Sequence, residues 1–168
     1  MGCGLSLLFT VFNSPYPGAT VRGFYSDRLY NPNKAGGPTL NLRWQDAVIT
    51  QAGIALVKLH TGRLDYSAAN DVMIGRLEKI LAGELTMTDI DKRYYTHEIR
   101  ELERYRAIGV EDGPVPDEIK TEVWNNAHTA TLEDFQLKES DLLYTADALE
   151  ADKAQQGREH MEYMRSMR

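Results

Sequence analysis

From Trp44 onward, apolar residues recur every three or four positions, and that spacing predicts helices. In "RWQDAVITQAGIALVKLH", Trp44, Val48, Ala52, Ala55 and Leu59 form one core-facing stripe. The β-branched residues of this stretch leave a strand over 54–59 as an alternative. "HTGRLDYS" breaks the run, and Asp65 or Ser67 can cap a helix over about 68–82. Met73, Leu77, Ile80 and Leu81 face one way there, and Gly83 stands where a terminating glycine belongs. Thr88 caps a helix over 89–108, with Asp91 three residues on, and Gly109 stops it. Pro116 or Asp117 opens the next, to about 134. Ser140 caps a last helix over roughly 141–156, and the tail 158–168 either extends it or frays.

The first 41 residues differ. They hold four of the six prolines and two turn-rich stretches, "NSPYPGAT" and "NPNKAGGPT". "TVRGFYS" between them reads as a short strand, so this part is expected to be an irregular arm or a small hairpin. The chain therefore divides into a turn-rich N-terminal arm (1–41), a helical domain (42–157) and a C-terminal tail (158–168). The fold class expected is mostly α, an irregular bundle of about five helices with short connections between neighbours.

Composition narrows the chemistry. The chain has 168 residues, 42% hydrophobic and 26% charged, enough to bury a core without disulfides. Its single cysteine, Cys3, excludes an intrachain disulfide and the zinc sites built on several thiolates. A net charge of −6 means that an anionic partner would need a local basic patch. The apolar run 5–12 is too short to cross a bilayer, which takes about 20 residues. "MGCGLS" fits an N-myristoylation pattern, with Gly2 as acceptor and Cys3 as a second acylation site, so lipid anchoring is a minor alternative to a packed first strand. P-loop, dinucleotide-binding, nucleophile-elbow and EF-hand motifs are all absent from the sequence.

The candidate chemistry sits in "YYTHEIRELERYR", residues 94–106. On a helical wheel Tyr95, Leu102 and Tyr105 fall within about 120° of Ile99, and Glu98 and Arg106 fall inside the same arc. A carboxylate on such a stripe costs several kcal/mol unless paired, so Glu98 must meet another helix, a ligand or water in a cleft. His97 and Glu101, at i and i+4, occupy the opposite face with Arg104 beside them. "HEIRE" is not the zincin H-E-x-x-H, because Glu101 stands where the second histidine would be. Lys92, Arg93, Arg100, Arg104 and Arg106 make this the most basic helix and the best candidate for phosphate. Tyr94 and Tyr95 could stack a base, or simply line a helix interface.

On the following helix Trp124, His128, Thr131 and Phe135 share one line, and Ile119, Val123, Ala127 and Ala130 the next. His128 thus borders the apolar face, as a packed histidine or as a partner for Glu98 or His97. If they meet, a histidine beside a carboxylate can move a proton near neutral pH and an arginine can hold developing negative charge. A divalent metal on His97, Glu101 and His128 is a further reading. His60 is expected to cap a helix end and His160 to be exposed. The acidic stretch 133–152 reads as a solvated helix face.

"YYTHEIRE" and "AHTATLEDF" (127–135) resemble the C-terminal toxin modules of bacterial polymorphic toxins, of the contact-dependent and Rhs kind. The resemblance covers about a quarter of the chain. It implies an effector delivered into a competing cell, acting in its cytoplasm and neutralised by a cognate immunity protein. Many such modules are nucleases, which implies nucleic acid as substrate, His97, Glu98, Glu101 and His128 as catalytic residues, and Arg100, Arg104, Tyr94 and Tyr95 as substrate contacts. The competing expectation is a non-enzymatic helical module that binds a partner through its acidic C-terminal helix and Met-rich tail.

Overall fold

The computed structural model describes residues 16–138 and 140–168. The acylation pattern at Gly2 and Cys3 lies outside them. The described chain is mostly helical. Five α-helices follow a two-stranded hairpin: β1 (Val21–Arg22), β2 (Leu29–Tyr30), α1 (Gln51–Gly62), α2 (Ala68–Leu81), α3 (Asp89–Ile108), α4 (Asp117–Asp134) and α5 (Ala146–Ser166). Single 3-10 turns sit at Pro32–Lys34 and Trp44–Asp46. Among the described residues no helix is long and apolar enough to cross a membrane.

Local chemistry sets most helix ends. Thr88 accepts from the Asp91 amide while the Asp91 carboxylate accepts from the Thr88 amide, a reciprocal capping box at the start of α3. Gly109 ends α3 in the left-handed region at φ 93°, where a side chain would be strained. Ser67 caps α2, its hydroxyl accepting from the Asn70 amide. Two ends differ from expectation. Residues 44–50 are not part of α1, because Thr50 caps the helix through the Gly53 amide. Helix α5 starts at Ala146 rather than 141, and it runs through Gly157 to Ser166.

α3 is the centre of the bundle and packs against α1, α2 and α4, while α2 also packs against α5. One core joins Ile54, Val57, Met73, Leu77, Tyr94 and Tyr95. A second joins Tyr105, Val115, Val123 and Ala127. The buried face of α1 is Gly53, Ile54, Val57, His60 and Thr61, not the expected stripe, and Val48 is 73% exposed. Ile119 and Leu81 are also exposed, at the edges of their helices. Gly53 is where α1 meets α3: a Cβ there would lie 1.6 Å from the Tyr95 hydroxyl. Tyr95 is therefore a packing residue of the α1–α3 interface.

The hairpin and the segment after it dock on α4 through two neighbouring carboxylates. Glu133 accepts from the amides of Tyr25 and Ser26 and from the Ser26 hydroxyl, at 3.0, 2.9 and 2.7 Å. Asp134 accepts from the Leu40 amide at 2.7 Å and from both ends of the Arg104 guanidinium, at 2.7 and 2.9 Å. Arg104 is fully buried and also donates to the carbonyls of Ala35, Gly37 and Pro38. The acidic stretch expected to be solvated thus begins with two buried anchors, Glu133 and Asp134.

Candidate metal centre

Three histidines from three helices surround one carboxylate. His97 and Glu101 lie one turn apart on α3, so their side chains stack on the same face. Both are buried, because α4 covers the face expected to be open. His97 Nε2 lies 2.8 Å from Glu101 Oε2. His128 on α4 brings its Nδ1 to 2.9 Å from His97 Nε2 and 3.2 Å from the same Glu101 oxygen. His60 on α1 places its Nε2 3.2 Å from the other oxygen, Glu101 Oε1. Glu98 Oε2 is 4.0 Å from His60 Nε2. Trp124 stacks on the His128 ring at 4.8 Å between centroids and fixes its plane.

The electrostatics follow from one carboxylate that faces three imidazoles. Burial alone would raise the Glu101 carboxyl, but hydrogen bonds with His128, His60 and His97 hold it well below the usual range. Burial opposes charge on His97, yet the bond to Glu101 and the surrounding carboxylates raise its pKa. Burial lowers that of His128, and the charge on His97 adds to it. His97 is therefore the more readily protonated of the pair. Its Nε2 faces both Glu101 Oε2 and His128 Nδ1. Glu98, 7% exposed, is pushed up to about 7 by burial and by the charge of Glu101. His97 Nδ1 is buried with no hydrogen-bond partner.

Two imidazole nitrogens and one carboxylate oxygen that converge in this way form a group that could hold a metal ion. The distances fit. Ligand atoms about 2.0–2.1 Å from a tetrahedral ion stand about 3.3 Å apart. The three contacts, 2.8 to 3.2 Å, would have to open by only a few tenths of an ångström.

The group opens on a cavity of about 330 Å³ between α2, α3, α4 and the loop that leads into α5. Glu98, Glu101 and His128 line it together with Asn70, Trp124, Tyr144 and five leucines. Among the described residues that line it, Asp141 adds a third carboxylate and Lys138 is the one lysine or arginine.

The eight residues singled out in the sequence therefore divide. His97, Glu98, Glu101 and His128 come together. Arg100 and Arg104 do not join them, since both bind Asp134, and Arg100 also binds Glu103. Tyr94 is fully buried and donates to Asn70 Oδ1 at 3.0 Å. Tyr95 is held against Gly53 and Thr50. Arg106, expected on the apolar arc, is exposed and paired with Asp112. His60 and Trp124 complete the site. His60 had a signal that the reading missed: it lies three residues beyond Val57, on the buried face of α1. No protein-family model matches the chain, and neither a curated protein nor a solved structure matches it.

Proposed function

We propose that the chain is a metal-dependent hydrolase, with its ion on His97, Glu101 and His128 and with Glu98 as general base. The observation that carries this reading is the convergence of His97 Nε2, Glu101 Oε2 and His128 Nδ1 within 3.2 Å, with Glu101 and His128 lining a cavity that Glu98 also lines. Two histidines and a glutamate are a donor set of catalytic zinc, and three protein ligands leave a position for water. Bound there, such an ion lowers the pKa of that water and polarises the bond to be cleaved. Glu98 follows the ligand His97 in the chain, is buried beside Glu101 and lines the cavity, and it would take a proton from a water bound there and pass it to the leaving group. Trp124 holds the His128 ring in plane.

The resemblance to toxin modules supplies the setting: an effector that cleaves a component of the target cell and is silenced by an immunity protein. The substrate follows from the lining. Arg100 and Arg104 are committed to Asp134, and the cavity combines three carboxylates, Glu98, Glu101 and Asp141, and a single ammonium, Lys138, with leucines. That surface suits an uncharged carbonyl compound, an amide or ester beside an apolar group, better than a phosphodiester.

The experiment begins with chelator-stripped protein. Wild type is expected to take up Zn²⁺ stoichiometrically, His97→Ala to lose it, and Glu98→Gln to keep it. Expressed in bacteria, wild type should arrest growth while both variants do not, with RNA, DNA and protein breakdown followed in parallel. Failure of wild type to bind Zn²⁺, or arrest of growth by both variants, refutes the proposal.

A further inference from the structure

We propose that His60, locked in one tautomer by Arg63, restricts Glu101 to a single-oxygen ligand and limits the centre to one ion. This rests on the metal centre proposed above. The two oxygens of Glu101 have different partners: Oε2 faces His97 and His128, and Oε1 faces His60 Nε2 at 3.2 Å. That geometry has two chemical meanings. His60 could be the ligand of a second ion, with Glu101 bridging and Glu98 Oε2, 4.0 Å from His60, completing the pair. Or His60 could be a donor that occupies Oε1.

The far side of the imidazole decides between them. Arg63 Nε donates to His60 Nδ1 at 3.4 Å, and Arg63 Nη2 lies at the same distance. A guanidinium has only donors, so Nδ1 must present its lone pair. A neutral imidazole with its lone pair on Nδ1 carries its proton on Nε2. That proton points at Glu101 Oε1 and closes Nε2 to a metal. Arg63 is itself held in place. Its Nη1 donates to the Glu111 carbonyl at 2.8 Å, and its guanidinium lies 4.6 Å over the Tyr105 ring. The His60 ring meets the same tyrosine edge to face at 4.8 Å. With Oε1 taken, Glu101 offers the ion one oxygen, and the coordination number stays low enough to leave room for water. His60 is thus a positioning residue, and groups that orient metal ligands in this way are commonly worth about 10–100-fold in metal affinity.

The test uses the full chain, stripped of metal and titrated with Zn²⁺ against a competing chelator and with Co²⁺ followed by visible absorption. Wild type should bind one ion. His60→Leu should bind Zn²⁺ about 10–100-fold more weakly. Its cobalt spectrum should also lose intensity, as the freed Glu101 turns both oxygens to the ion and raises the coordination number. His60→Gln keeps an N–H donor and should restore both readouts, to within about threefold in affinity. Arg63→Met, which touches neither Glu101 nor the ion, should shift both in the direction of His60→Leu. Should His60→Leu fail to fold, the contrast between His60→Gln and Arg63→Met carries the same decision. Two ions per wild-type chain overturn the proposal, and so does a wild-type spectrum and affinity in both His60→Leu and Arg63→Met. A wild-type chain that binds no ion overturns the metal centre itself, and this inference with it.

Discussion

Arg104 was a candidate for substrate, and replacing it now tests the fold instead. Arg104→Met keeps much of the side-chain length and removes every donor. Its guanidinium makes a two-pronged contact with Asp134, at 2.7 and 2.9 Å, and bonds to the carbonyls of Ala35, Gly37 and Pro38. In the variant Asp134 keeps only Arg100 and the Leu40 amide. Removing one partner of a buried ion pair costs about 3–5 kcal/mol. Unfolding entropy near about 2.1 cal/mol/K per residue gives roughly 0.35 kcal/mol/K for a chain of 168 residues, so Tm should fall by about 9–14 °C. Calorimetry at pH 7 measures this directly. Limited proteolysis should show cleavage appearing first between residues 35 and 42, the segment that Arg104 and Asp134 tie down. Arg104→Lys should fall in between, since one ammonium cannot reproduce the fork. Arg104→Met with Asp134→Leu should recover part of the loss, because no uncompensated charge remains. A fall in Tm of less than about 3 °C for Arg104→Met would refute the assignment, all the more if metal-dependent turnover collapsed while stability held.

Asp91 gives a pH dependence with a defined sign. Burial opposes its charge, but bonds from Arg76 and Thr88 hold its carboxyl below the ordinary 3.8, so its stabilisation is present above that pH and is lost as pH falls through the lower folded value. The Tm gap between wild type and Asp91→Asn, measured from pH 7 downward, should stay constant to about pH 4 and then close; a gap unchanged at pH 2 contradicts the assignment. Gly53→Ala drives a Cβ into the Tyr95 hydroxyl and should cost about 1–3 kcal/mol in urea melts, with Tyr95→Phe recovering part of it in the double variant. Zn²⁺ at about a thousand times its Kd should raise the stability of wild type by about 4 kcal/mol and leave His97→Ala unmoved in the same melts.

What could be read from the sequence was what is local. Thr88, Asp91 and Gly109 fix α3 through contacts within a few residues, and the expected bounds of that helix match the structure. The mostly helical fold follows from the same kind of spacing. What escaped was long-range. On α1 the buried face includes a glycine and a histidine, whose small size and polarity hide the stripe; Gly53 is there for Tyr95 and His60 for Glu101. Arg104, Glu133 and Asp134 read as surface charges because their partners lie 69, 108 and 94 positions away. Glu98 was correctly singled out as a carboxylate on an apolar stripe. Yet the wheel set His97 and Glu101 on the face opposite that stripe, and α3 is packed there too, because α1, α2 and α4 all lie against it and leave only positions such as Glu103 and Arg106 exposed.

The centre draws His60, His97 and His128 from α1, α3 and α4, and no single helix carries it whole. In the unfolded chain these groups are strung out over 69 positions and share nothing, so the chemistry is a property of the docked bundle alone. During refolding, recovery of ion uptake should keep pace with closure of the three-helix contact rather than with the appearance of helical signal. An ion taken up there would then report on the docking of the three helices.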